Sequence, residues 1–182
     1  MEAAKNSFVR HVPQASVDLN VPSEVETATF ALGWFWGPDA QLVSIDGVVR
    51  TRVGYSGGTT KDPTYHNLAD HTETIQLDYD PAKISYGQLL DIFWQSHKPG
   101  GRPWSSQYKA AVFYQNEEQK KLALKSKDHV AATLEGKVYT EVIPFTSFHL
   151  AEDYHQKYRL QQERDLLQEF KTLYPNMEDL VN

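Results

Sequence analysis

The stretch that most constrains this chain is Thr72 to Tyr79, a strict alternation that runs directly into Asp80-Pro81 and a helix-start signal. Glu73, Ile75, Leu77 and Tyr79 fall on one face of a strand, and Thr72, Thr74, Gln76 and Asp78 fall on the other. Asp80-Pro81 ends the strand because proline has no N–H to give to a ladder. Ser85 and Gln88 then make a capping-box pair. Tyr86, Leu89, Leu90, Phe93, Trp94 and His97 follow on one helical stripe, closed by Lys98-Pro99-Gly100-Gly101. A strand with an apolar face followed by a helix with an apolar stripe calls for a layered fold.

The rest of the chain extends that pattern. Thr27 to Leu32 reads as a short strand that ends at Gly33, and Pro38-Asp39 opens a short helix over about 38–45. Val48 to Val53 reads as a second strand, Gly54 to Lys61 as a loop, and Thr64 to Asp70 as room for one helical turn. Ala110 to Tyr114 is a strand. Asn116 caps a lysine-rich helix running to about Leu134, and Tyr139 to Ile143 is a strand ended by Pro144. The chain reads as helical again from His149, with a break near residue 163. The expected fold is therefore α+β: a two-layer sandwich, with a mixed β-sheet carrying helices packed on it. Residues 1–26, polar and with Pro13 and Pro22, read as an N-terminal arm, and 27–182 as the domain.

Composition narrows the chemistry. With 182 residues the chain can bury a core unaided. Eighteen basic against 24 acidic residues give a net charge of −6, which argues against a nucleic-acid or membrane-surface partner. No apolar run approaches the roughly 18 residues of a membrane span. No secretory h-region stands in residues 1–26, so a cytoplasmic protein is expected. There is no cysteine, which excludes disulfides, thiolate metal sites and cysteine nucleophiles for the chain as written.

Four features are candidates for function. Glu73 lies in line with Ile75, Leu77 and Tyr79. A carboxyl carried into an apolar wall loses hydration, which raises its pKa and suits it to be a hydrogen-bond donor or general acid. A glutamate at the strand's end that simply reaches water fits the alternation equally well. Trp34-Phe35-Trp36 between Gly33 and Gly37 fits a cage for a methyl or aromatic group, but core packing is the simpler account. The Gly54–Lys61 loop lacks the Gly-Lys-Ser/Thr order of a phosphate loop and reads as a turn framing a pocket. The seven histidines form no metal spacing, and His149, Glu152 and Asp153 read as a solvated helix face, so no metal site is expected.

Taken together, these segments resemble the methionine sulfoxide reductase A family. The family's Gly-Cys-Phe-Trp-Gly turn is matched by Gly33-Trp34-Phe35-Trp36-Gly37. Thr51 to Thr60, Asp62-Pro63-Thr64-Tyr65, Asp70-His71-Thr72-Glu73 and Tyr79-Asp80-Pro81 follow in order. Ile84-Ser85-Tyr86, Phe93 to His97, Ser106-Gln107-Tyr108 and Ala151 to Tyr158 continue the match, which covers about residues 27–160. The resemblance implies that residue 34 holds the nucleophile that attacks the sulfoxide sulfur. It further implies that Phe35 and Trp36 hold the substrate methyl, that protonated Glu73 donates to the sulfoxide oxygen, and that Tyr65 and Tyr108 hydrogen-bond it. The substrate would be methionine-S-sulfoxide, protein-bound or free. No cofactor is implied, only an external thiol reductant such as thioredoxin or dithiothreitol. Oxidative-stress defence and protein repair follow as the expected role.

Position 34 departs from that pattern: it holds Trp34, and no resolving cysteine stands anywhere. Arg102-Pro103-Trp104-Ser105 also replaces a frequent aspartate. Three readings of position 34 are open. It is selenocysteine whose UGA codon has been written as tryptophan; or a true tryptophan in an inactive member that binds oxidised methionine without reducing it; or an error or engineered change replacing cysteine.

Overall fold

A computed structural model describes residues 24–159 of the protein. Six strands form one mixed sheet: β1 (Glu26–Leu32), β2 (Val48–Ser56), β3 (Thr72–Tyr79), β4 (Ala110–Tyr114), β5 (Glu141–Pro144) and β6 (Phe148–Leu150). Their order across the sheet is β5-β4-β1-β3-β2-β6. All pairs are antiparallel except β4 with β5. That parallel pair needs a crossover, which α3 (Glu117–Thr133) supplies. With α1 (Trp36–Val43) and α2 (Tyr86–Gln95), the fold is α+β, as expected.

Among the described residues, α1, α2 and α3 feed one core. Leu42 of α1, Leu89, Leu90 and Phe93 of α2 and Ala123 of α3 pack with Ala28, Phe30, Ile75, Leu77 and Tyr79 of the sheet. The register pairs Ala28 with Leu77 and Phe30 with Ile75, so the apolar face read from the alternation is the face the helices cover. The opposite face of β3 is buried too: Thr72, Thr74, Gln76 and Asp78 are at most 8% exposed. Its polar groups are paired. Asp78 takes the Arg50 and Arg52 guanidiniums at 2.5 and 2.9 Å, and Gln76 donates to the Thr29 hydroxyl at 3.2 Å. Ser85 and Gln88 form the capping box, and the Asn116 side chain accepts from the Gln119 N–H.

Several boundaries differ from expectation. α1 begins at Trp36, two residues before Pro38, and ends at Val43. β2 runs through Gly54, Tyr55 and Ser56, which the sequence suggested as the start of a loop. Glycine reads as a breaker, but here it makes room: a Cβ on Gly54 would lie 2.3 Å from the His149 carbonyl oxygen of β6. Thr64 to Asp70 holds no helical turn; Thr64 and Asn67 exchange backbone hydrogen bonds of 3.3 and 2.9 Å in a tight turn. β5 begins at Glu141, two residues later than expected. His149 starts no helix: it lies in β6, and a 3-10 turn at Asp153–His155 follows. The expected arm falls mostly on 1–23, and the break near 163 on the C-terminal stretch; both lie outside the described residues.

Candidate functional site

The site forms where β1 ends. Gly33 takes φ +85°, a left-handed conformation open to glycine, and turns the chain sharply into α1. Phe35 is the N-cap residue of α1, so residue 34 stands one position ahead of the helix's positive end, where an anionic nucleophile would be favoured. The three aromatics part company. Phe35 is 1% exposed, its ring 6.2 Å from that of Tyr55 and 5.3 Å from that of His155. Trp34 is 47% exposed and lies 4.7 Å from Trp36, centroid to centroid. Core packing therefore accounts for Phe35 but not for Trp34.

Glu73 is fully buried on β3, opposite Tyr55 of β2, and does not reach water. The Phe35 backbone N–H donates to its Oε2 at 3.1 Å, and the Gln107 amide donates to its Oε1 at 2.8 Å. Burial raises the Glu73 pKa, and it outweighs those two hydrogen bonds, which favour the anion. The Gln107 amide also donates to the Tyr108 hydroxyl at 3.0 Å. Burial, with Tyr108 as hydrogen-bond partner and the nearby Glu73 charge, pushes Tyr65 up to about 12, so its phenol keeps its proton at neutral pH. One chain of polar contacts thus runs from the residue 35 backbone through Glu73 and Gln107 to Tyr108 and Tyr65. The aromatic side chains join the site differently: the Phe35, Trp36 and Tyr65 rings lie within 5.6 Å of the His155 ring, and Trp34 lies against Trp36.

Other side chains of the site carried no role in the sequence reading. Gln107 bridges its neighbour Tyr108 and Glu73, 34 residues earlier in the sequence. Glu152 is no solvated helix residue: its carboxylate accepts from the Tyr55 hydroxyl at 2.7 Å and from the Tyr65 backbone N–H at 3.0 Å. Burial opposes its ionisation, but those hydrogen bonds prevail and lower its pKa. The segment after β6 is anchored from beneath. Lys157, at φ +54°, places its ammonium 3.0 Å from the buried Asp39 of α1 and against the Thr51 hydroxyl. The sequence signals for these residues are the Ser106-Gln107-Tyr108 and Ala151–Tyr158 blocks, which match the family without an assigned role for Gln107, Glu152 or Lys157.

The glycine-rich loop holds no anion cradle. The Thr59 N–H and hydroxyl both donate to Asp70, at 2.8 and 2.9 Å, and those bonds hold the carboxyl well below the usual carboxylate range. Among the described residues no group of three or more His, Asp or Glu is arranged to hold a metal ion. Nor is any described helix long and apolar enough to cross a membrane.

Comparison with known proteins gives one consistent result. The family model described as peptide methionine sulfoxide reductase matches residues 26–178. A peptide methionine sulfoxide reductase of Drosophila melanogaster is 44% identical over 151 residues, covering 82% of this chain; the chain spans 61% of that relative's length. A relative from Methanococcoides burtonii is 40% identical over 145 residues, covering 74% of this chain and 95% of its own. Among solved structures, reduced Mxr1 of Saccharomyces cerevisiae superposes with a TM-score of 0.71 at 26% identity, covering 76% of this chain and 86% of that one. The same yeast protein in complex with Trx2 gives a TM-score of 0.58 at 26% identity, covering 76% and 87%.

Proposed function

This chain belongs to the peptide methionine sulfoxide reductase family, and we propose that its site binds methionine sulfoxide and reduces it when position 34 carries cysteine or selenocysteine. The observation that carries this reading is the buried carboxyl of Glu73, bonded at one oxygen by the Phe35 N–H and at the other by Gln107. A sulfoxide oxygen leaves poorly until it is protonated, and a carboxyl that keeps its proton in a dry wall is suited to supply one. The Tyr65 and Tyr108 hydroxyls steady that oxygen. Trp36, with Phe35 buried behind it, forms the apolar side for the methyl group.

The step balances as follows. A thiolate or selenolate at residue 34 attacks sulfur, the S–O bond breaks, and the oxygen passes to residue 34 with the Glu73 proton, leaving the thioether. Two equivalents of an external thiol then return residue 34 to its reduced form, releasing water and a disulfide. Thioredoxin or dithiothreitol would serve, as the yeast relative's complex with Trx2 suggests by analogy. The preference for the S epimer, and a role in repairing oxidised proteins in a reducing, cytoplasmic compartment, belong to the same reading.

The chain as written supports a second reading. Indole has no lone pair fit to attack sulfur, and Trp34 leans on Trp36 as part of an aromatic wall. With Trp34 the site binds oxidised methionine without turning it over.

The test is Trp34→Cys. That change alone is expected to create dithiothreitol-dependent conversion of N-acetylmethionine sulfoxide to N-acetylmethionine, followed by chromatography. The unsubstituted chain is expected to show none, while giving binding heat with a sulfoxide peptide. A folded but inactive Trp34→Cys protein would overturn the proposal. A natural product whose intact mass shows tryptophan at position 34 would end the selenocysteine reading.

A further inference from the structure

His155 is 1% exposed, with its ring enclosed by Tyr154 at 4.1 Å, Tyr65 at 4.6 Å, Phe35 at 5.3 Å and Trp36 at 5.6 Å. The Trp36 indole N–H donates to its Nδ1 at 3.0 Å. An indole can only donate, so Nδ1 must present its lone pair. The imidazole is therefore neutral, with its proton on Nε2, and that nitrogen is buried without a hydrogen-bond partner among the described residues. Trp36 also stacks on Tyr158, 3.8 Å between centroids and 20° between planes. One short segment thus fixes the indole twice, by a hydrogen bond to its edge and a ring against its face.

We infer that His155 is a positioning residue for Trp36: the neutral imidazole anchors the indole wall of the site, and protonation of His155 releases it. An imidazolium carries N–H on both nitrogens, so Nδ1 and the indole N–H would meet donor to donor. The groups facing His155 are few. From its own segment come the Glu152 carboxylate, which favours the cation, and the Tyr154 phenol. The turn after β2 brings the Tyr65 phenol and the like-charged influence of His66. α1 and its N-cap present only Phe35 and Trp36. Burial is the largest influence and, with His66, lowers the His155 pKa against Glu152. The anchor therefore holds at neutral pH and fails on acidification.

The inference rests on the reading that this pocket takes methionine sulfoxide, so its test has one readout with substrate and one without. In the ¹⁵N-labelled full chain, the Trp36 indole N–H signal is identified by its loss in Trp36→Phe. As pH falls it is expected to shift, and its protection from solvent exchange relative to a free indole at the same pH is expected to fall about tenfold, the loss of roughly one net hydrogen bond. His155→Asn places an amide oxygen near the Nδ1 position but cannot take a proton, so the signal should stay constant with pH. His155→Leu should show the exposed signal at every pH. Affinity for N-acetylmethionine sulfoxide methylamide, measured by calorimetry, should fall about tenfold on acidification in the unsubstituted chain. In His155→Asn that affinity should change less.

A Trp36 signal indifferent to pH in the unsubstituted chain would overturn the inference with no variant needed. So would a pH response that persists in His155→Asn. If the signal follows His155 but the sulfoxide probe binds at no pH, the substrate reading falls and the anchor stands.

Discussion

Two hydrogen bonds to Glu73 favour its anion and burial opposes it; that contest sets what the residue can do. In a Trp34→Cys background, Glu73→Gln is expected to slow the chemical step by about 10²-fold or more, the usual loss of a general acid, read in single-turnover reduction. The same change should stabilise the fold. A carboxyl whose folded pKa is raised contributes most below its unfolded value near 4.3 and loses that contribution as pH rises through the folded value. Glu73→Gln should therefore raise the urea midpoint at pH 8 more than at pH 5. A lower midpoint at pH 8 would show that the carboxyl was not the penalised form. Alternation alone put Glu73 on the right face, but the sequence left open whether it reached water. Gln107, which supplies one of its two donors, has no local signature, since the contact exists only once β3 and the 3-10 turn at Ser106–Tyr108 meet.

Elements with their own local chemistry were readable: β3 from its period of two, α2 from its capping box and stripe, α3 from Asn116. The misread ones depend on distant partners. β2 continues through Gly54 only because β6 comes in from nearly a hundred residues away, and the three residues of β6 are too few to show a period. Gly54→Ala should therefore cost about 1–3 kcal/mol in urea denaturation, since the new methyl meets the His149 backbone oxygen of β6, which cannot swing aside, as well as the Phe148 ring. A neutral result would mean that β6 is not seated on β2. The anchor under α1 has a comparable test. Lys157→Met leaves the Asp39 carboxylate buried and unpaired, at a cost of about 3–5 kcal/mol, whereas Asp39→Leu combined with Lys157→Met should recover much of it. Equal losses in the single and double variants would refute a coupled pair.

Across the whole molecule, three histidines from separate parts of the fold share one tendency. Burial lowers His97 against its bond to the Phe93 carbonyl, lowers His149 with help from His71 and against Asp62, and lowers His155. Each takes up a proton more readily unfolded than folded. The stability they contribute is present above the ordinary histidine value near 6.5 and is lost as pH falls below it. Because Glu73 acts in the opposite sense, the cleanest measurement is in Glu73→Gln, where the urea midpoint should drop between pH 7.5 and pH 5.5. A flat profile would place these rings in water.

The Gln156 side chain behaves toward β2 as a strand's backbone would, accepting from the Val53 N–H at 3.0 Å and donating to the Val53 carbonyl at 2.9 Å. During synthesis, then, Glu73 and the residue 34–36 turn leave the ribosome long before the segment that closes their far side. A nascent chain halted ahead of Glu152 would hold the acid and the turn, yet lack Glu152, His155, Gln156 and Tyr158, and its half-built cleft would stand open to water.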